Sequence, residues 1–230
     1  MTNDSNLIRL NKHLALLLGV SRREADDMIA KGTVLVNGKP VILGARIEPG
    51  DSISVNGELI NNNADHQYVI FNKPIGYVCS RRAQGDNPTI YDLLPADMAS
   101  LKPVGRLDKN SSGLLILTND GDFAHQMTHP KFSKVKVYQV SLDTPLQPLH
   151  QQMIADYGVE IGDGTSKLGL ERTDDERKNW IVTMSEGRNR QIRRTFIALG
   201  YEVTELHRTN FGSYSLGDIK SGEYKTINIA

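Results

Sequence analysis

The chain has 230 residues, 39% hydrophobic and 23% charged, with 27 basic against 27 acidic side chains and so no formal net charge at neutral pH. That balance excludes a bulk attraction to polyanions, so any contact with nucleic acid has to come from uneven placement of the bases. The single cysteine, Cys79, excludes an internal disulfide and a cysteine-rich zinc site, and the longest apolar run, Leu14 to Leu18, is far too short to span a bilayer. A cytoplasmic protein without membrane contact is expected, with Cys79 as a small buried hydrophobe.

Leu7 to Leu18 reads as a helix stopped by Gly19, and Ser21-Arg22-Arg23-Glu24 has the capping-box spacing that opens a second helix ending at Gly32. Short apolar runs follow at Thr33 to Val36, Val41-Ile42 and Ile53 to Val55, with hairpin turns at Asn37-Gly38 and Asn56-Gly57, where both turn positions need positive φ. Arg9, Lys12, Arg22, Arg23 and Lys31 lie on or beside the two helices. Free backbone N–H groups at the start of the second helix would complete a phosphate site; the other reading is a solvated helix pair whose Asp26 and Asp27 cancel the bases. The order of cap, helix stop and hairpin over residues 7 to 57 resembles the S4-type RNA-binding domain. Residues 1–60 are assigned to this module, 61–67 to a polar linker and 68–230 to a larger domain.

In the larger domain, strand-like runs recur at Tyr68 to Phe71, Gly76 to Ser80, Leu114 to Thr118, Lys136 to Leu142, Trp180 to Met184 and Tyr201 to Leu206. Helices are expected at Asp122 to Thr128, Pro148 to Asp156 and Arg190 to Leu199. Strands without regular helix alternation and without a Gly-rich phosphate loop predict an α+β fold built on a largely antiparallel mixed sheet.

Asp108 stands in the basic loop Gly105-Arg106-Leu107-Asp108-Lys109, immediately before the apolar run Leu114 to Leu117, which reads as a strand covered on both faces. Between Arg106 and Lys109 it is expected to be an ionised carboxylate, available as a nucleophile and a poor proton donor. Read alone, it starts a turn or pairs with Arg106. Three segments join it. Lys73-Pro74-Ile75-Gly76 places Lys73 at a strand end, where a Pro-fixed turn either carries it towards the site or is, read alone, a plain turn. On the Lys136 to Leu142 strand, Tyr138 shares a face with Val140 and Leu142, as a core aromatic or as a base-stacking platform. In Glu186-Gly187-Arg188-Asn189-Arg190-Gln191-Ile192-Arg193-Arg194 a loop runs into a helix whose buried stripe is Ile192, Phe196 and Leu199. Arg193 sits at the edge of that stripe, either snorkelling without a partner or as the bidentate partner that a buried Asp108 would need, while Arg190 and Arg194 suit phosphates. Bases also gather at Lys131, Lys134 and Lys136.

Together, Lys73-Pro74-Ile75-Gly76, Gly105-Arg106-Leu107-Asp108 with Ser112-Gly113-Leu114-Leu115, Lys136-Val137-Tyr138 and the 186–194 segment resemble the pseudouridine synthases of the small- and large-subunit ribosomal RNA branch. Their order along the chain matches too. The resemblance implies conversion of a uridine to pseudouridine in ribosomal RNA, more specifically large-subunit RNA, with no metal, redox cofactor or nucleotide. It implies that Asp108 is the essential carboxylate, that Arg193 holds it ionised and oriented, and that Tyr138 stacks on the uracil and helps remove the C5 proton. By position, Leu206 packs under the ring. Lys73, Arg106, Lys109, Arg188, Arg190 and Arg194 are the candidate RNA contacts. The expected partner is ribosomal RNA or a ribosome-assembly intermediate, bound by a monomer.

The rival reading is a non-catalytic S4-type RNA-binding or assembly factor, whose signature would be a broken Asp or Tyr position. A zinc-dependent deaminase lacks its paired cysteines here. His125 and His129 have helical ligand spacing, but no Glu follows His125 and a surface pair is the simpler reading. Asp120-Gly121 reads as a turn rather than as half of a glycosidase pair with Asp122.

Overall fold

A computed structural model describes residues 7–60, 65–81 and 84–229, so most of the expected linker lies outside the described residues. The chain separates into two compact units. One comprises residues up to Gln67 with Ser100–Lys102 and Thr118–Gly121; the other comprises Tyr68–Ala99, Pro103–Leu117 and the residues from Asp122 onward.

In the first unit, β1 (Ile8–Arg9) leads into α1 (Leu10–Leu17), followed by α2 (Arg22–Ala30), β2 (Val34–Val36), β3 (Lys39–Pro40), β4 (Arg46–Ile47), β5 (Ile53–Val55) and β6 (Glu58–Leu59). Strand β1 pairs with β4, and the others form an antiparallel sheet in the order β3-β2-β5-β6. Leu10, Leu14, Ala25, Ile29, Val34 and Ile53 close the core between helices and sheet. Asn37 and Asn56 adopt φ of 51° and 52°, the left-handed conformation their turns demand. Val41-Ile42 is not a strand. The Asn37-Gly38 turn sets Val36 opposite Lys39, and Pro40 has no N–H with which to extend the ladder, so Ile42 is left 81% exposed.

The second unit is built on a nine-stranded sheet. Its elements in chain order are β7 (Tyr68–Lys73), β8 (Lys102–Val104), β9 (Ser112–Thr118), α3 (Gly121–Thr128), β10 (Lys136–Leu142), α4 (Pro148–Gln152), the short hairpin β11 (Val159–Glu160) and β12 (Thr165–Ser166), β13 (Gly169–Arg172), β14 (Asn179–Met184), α5 (Gln191–Ile197), β15 (Val203–Phe211), β16 (Tyr214–Ser215) and β17 (Tyr224–Ile227). The sheet runs β13-β14-β10-β15-β9-β7-β17, with β16 on β15 and β8 on β9. Strand β10 pairs antiparallel with both neighbours, whereas β15 runs parallel to β9. The fold is therefore α+β on a mixed sheet. Leu114 to Leu117 are fully buried, as a centrally placed apolar strand requires.

At the β9–β15 contact Gly113 faces Arg208, and a Cβ there would sit 2.3 Å from the Arg208 carbonyl oxygen. Only glycine permits this approach, which brings the start of β9 and the loop before it against β15. Two expectations need correction. Gly76 to Ser80 is not a strand: Gly76 turns with φ of 96°, and Val78 makes only an isolated bridge to Thr89. The helix expected over Pro148 to Asp156 yields after Gln152 to a π turn over Met153–Tyr157. No helix among the described residues is long and apolar enough to cross a membrane.

Candidate active site

The Asp108 loop is shaped from beneath. Lys73, at the end of β7, is fully buried, and its Nζ donates to the carbonyl oxygens of Pro74 (2.9 Å), Asp108 (3.1 Å) and Ser111 (2.8 Å). Ser111 N–H closes the turn onto the Asp108 carbonyl at 3.0 Å, and Gly76 N–H binds the Lys109 carbonyl at 2.8 Å. Lys73 was expected on RNA and is not placed to reach it, because all three ammonium protons are committed to the backbone. Burial pushes its ammonium below the usual lysine value, and the nearby Cys79 and Asp108 act in the opposite direction. Lys73 is a positioning residue for the loop.

Above that support lies a cleft of about 340 Å³. Arg106 and Asp108 line it, as do the 185–190 loop and the start of α5. Strands β10 and β15 set Tyr138 opposite Arg208 and Val140 opposite Leu206, so Tyr138, Leu206 and Arg208 share one face. All three line the cleft, Tyr138 and Leu206 with 8% and 7% exposure.

Arg193 does not clamp Asp108. Its Nη1 donates to the Val203 carbonyl at 2.6 Å and its Nη2 to the Asn110 carbonyl at 2.7 Å. The ion pair to Asp108 comes from Arg190, whose Nη1 lies 3.6 Å from Oδ2. Arg193 as the partner presupposes a buried carboxylate. The Asp108 side chain is 36% exposed and is served by a still more accessible arginine, whereas Arg193 is buried and answers to carbonyls. Through Asn110, Arg193 grips the same loop that Lys73 holds. Burial and the neighbouring Arg190 lower its affinity for the proton, and Asp108 raises it.

Arg188 and Arg194 were expected on phosphates and are instead committed to the protein. Arg188 donates to the Asp163 carbonyl and carboxylate (3.2 and 3.3 Å), the Thr165 carbonyl (2.8 Å) and Glu186 (3.1 Å). Arg194 donates to the Asn189 and Ile161 carbonyls (2.8 and 2.9 Å) and to Asp163 (2.8 Å). The Arg194 hydrogen bond is the main reason the Asp163 carboxyl is held below the usual range. Both arginines tie the cleft loop to the β11–β12 turn. Of the two acids lining the cleft, Glu186 is bound by Arg188 and by Gln191 Nε2. Asp108 has only the long contact to Arg190 among the ion pairs of the described residues. Arg106 is exposed on the wall, and exposed Lys109 reaches Asn87 Oδ1 at 2.5 Å.

Sequence reasoning missed Arg208 and the location of Lys136. Arg208 is 2% exposed, donates Nε–H to the Leu114 carbonyl at 2.8 Å and lies 4.9 Å from the Phe211 ring centroid. Lys136 donates to the Lys134 and Glu186 carbonyls, both at 3.2 Å; burial and Arg208 push its ammonium below the lysine norm. Along β15 the burial does not alternate, and of the positions two residues from Arg208 only Leu206 is apolar, so nothing local flags Arg208.

In the first unit, Arg9, Arg22, Arg23 and Lys31 are exposed and Lys12 is half-buried. The start of α2 is not the open anion site expected. Ser21 Oγ accepts from Glu24 N–H at 3.2 Å and Glu24 Oε2 accepts from Ser21 N–H at 2.7 Å, so a carboxylate already occupies the helix end.

Comparison with known proteins gives the family. Residues 67–198 match the family model for RNA pseudouridylate synthase and residues 8–53 that for the S4 domain. The chain is 38% identical over 226 residues to "Ribosomal small subunit pseudouridine synthase A" of Pasteurella multocida, covering 96% of each protein. It is 33% identical over 225 residues to "Ribosomal large subunit pseudouridine synthase B" of Bacillus subtilis, covering 95% of this chain and 91% of that protein. A crystal structure described as pseudouridylate synthase superposes with a TM-score of 0.68 at 36% identity, covering 96% of both chains. With a family match over more than half of its length and relatives of this similarity along nearly all of it, the chain belongs to the RNA pseudouridylate synthases and carries an S4 domain at its amino-terminal end.

Proposed function

We propose that this enzyme, acting as a monomer, isomerises one uridine of ribosomal RNA, or of an assembly intermediate, to pseudouridine, with Asp108 as the essential carboxylate. The reaction breaks the N1–C1′ bond, turns the uracil, joins C5 to C1′, removes the C5 proton and returns a proton to N1. The observation that carries the reading is the setting of Asp108. It is a partly exposed carboxylate lining a cleft that an aromatic and an aliphatic side chain also line, on a loop fixed by Lys73 and Arg193 through main-chain carbonyls. A rigid mount of this kind suits a group that must meet a reacting atom within a few tenths of an ångström.

Asp108 acts either by attacking the ribose or the pyrimidine, or by taking a ribose proton to give a glycal. Tyr138 stacks on the flipped uracil and assists loss of the C5 proton, with Leu206 beneath the ring. Arg190 is the counter-ion of Asp108, a role assigned to it in place of Arg193. Extruding the uridine costs a few kcal/mol, roughly offset by stacking and backbone contacts. Arg106 and Lys109 meet the RNA beside the cleft, and Arg9, Lys12, Arg22, Arg23 and Lys31 meet it on the S4 unit through side-chain charge rather than through the helix end.

Within ribosomal RNA, motif details favour a large-subunit uridine, while the relatives divide between the two subunits. Chemical mapping of pseudouridine in both ribosomal RNAs from cells with and without the gene tests the proposal. Loss of one site in the deletion strain, restored by the wild-type gene, is expected; two identical maps refute it. Chelator-treated enzyme is expected to turn over at the untreated rate.

A further inference from the structure

Beside the cleft, the end of α3 and the turn after it carry a ring cluster with no part in the chemistry above. His125, in the last turn of α3, and His129, just past its end in extended backbone, hold their rings with centroids 4.7 Å apart and planes inclined by 59°. Phe132 stands edge-on to both, at 6.0 and 6.3 Å. The turn is fixed by Pro130, by Lys131 N–H donating to His129 Nδ1 at 3.2 Å, and by Ser133 in the left-handed conformation. Lys131 Nζ lies 4.6 Å from the Phe132 centroid.

A ring cluster serving only the fold would bury its apolar member, yet Phe132 is 38% exposed and both imidazoles are exposed. A metal site is not indicated, since no third ligating side chain joins the histidines among the described residues. No acid pairs with Lys131 or Lys134 among the described residues, so the patch is cationic as well as aromatic. It is continuous with the cleft, because Thr128 and Pro130, within the same segment, line it.

We propose that His125, His129, Phe132 and Lys131 form a stacking platform for unpaired RNA bases flanking the target uridine. Flat rings take any base face, and the lysines meet the accompanying phosphates, which is the chemistry of single-stranded RNA binding. A flipped uridine leaves its neighbours unstacked, and a platform at the cleft's rim gives one of them a surface. The inference rests on the RNA reading above and adds a second contact surface to it.

The test uses the full-length enzyme and a transcript carrying the mapped uridine, with 2-aminopurine at single flanking positions. Wild type is expected to change the probe's fluorescence at one or two flanking positions. The double variant H129A/F132A is expected to lose that change and to raise KM on the order of tenfold, with kcat retained. Phe132→Trp restores both. An unchanged KM and an unchanged probe signal in the folded double variant overturn the proposal. Should that variant not fold, Lys131→Glu on an exposed side chain carries the test through weaker binding and a smaller salt dependence; full affinity there overturns it. Wild type inactive on every ribosomal transcript defeats the parent reading, whereas active wild type with indifferent platform variants defeats this inference alone.

Discussion

The loop at residues 105–111 and the loop at 185–190 both bring cations to the cleft and use them in opposite ways. In the first, Arg106 and Lys109 point outward, and the loop is held by cations from elsewhere, Lys73 and Arg193, through carbonyls of Asp108, Ser111 and Asn110. In the second, Arg188 and the nearby Arg194 hold their own loop through Asp163 and the carbonyls of residues 161, 163, 165 and 189, and Arg190 is the one that pairs with Asp108. A cation's role in this enzyme is therefore decided by the carbonyls within its reach. A buried ammonium or guanidinium saturated by backbone oxygen is structural, whatever motif it sits in.

Lys73→Met should show the largest cost of breaking this arrangement. It removes a charged donor and leaves three carbonyls without their shared partner, and a loss of about 2–4 kcal/mol in denaturant unfolding is expected, together with a large fall in turnover. Unchanged stability would mean that the lysine is not the loop's anchor. Arg193→Lys should be milder. One ammonium cannot span the Val203 and Asn110 carbonyls, so roughly tenfold lower kcat with about 1–2 kcal/mol less stability is expected. Normal kcat would remove Arg193 from the positioning of Asp108. The smallest effects sharpen the contrast between the loops. Arg106→Ala should weaken RNA binding and reduce the salt slope by about one unit without altering unfolding, whereas Arg194→Ala should lower stability by about 1 kcal/mol and leave the slope alone. The reverse pattern would exchange the two roles.

Much of this arrangement is written locally. The capping box at Ser21, the Asn-Gly turns, the apolar run of β9 and the alternation of β10 each specify their element through contacts between near neighbours, and they form as read. The edge strands β13 and β17 were not legible, since both are polar and largely exposed and gain their pairing only from the sheet beside them. The destinations of the arginines were equally hidden. Nothing near Arg193 in sequence announces the Asn110 and Val203 carbonyls, which lie 83 and 10 residues away, and nothing near Arg194 announces the Ile161 carbonyl. Motifs marked Asp108 and Tyr138 but not Arg208, and tertiary hydrogen bonding distributed the tasks of the cations.

Asp108→Asn keeps the shape and the backbone contacts of the loop and removes only the charge and the nucleophile, so it addresses the central assignment most directly. Tritium release from uracil-labelled ribosomal transcripts, measured beside RNA binding and thermal unfolding, should fall by on the order of 10³-fold or more while binding and unfolding stay close to wild type. Release at a rate near that of the wild-type enzyme would contradict the account.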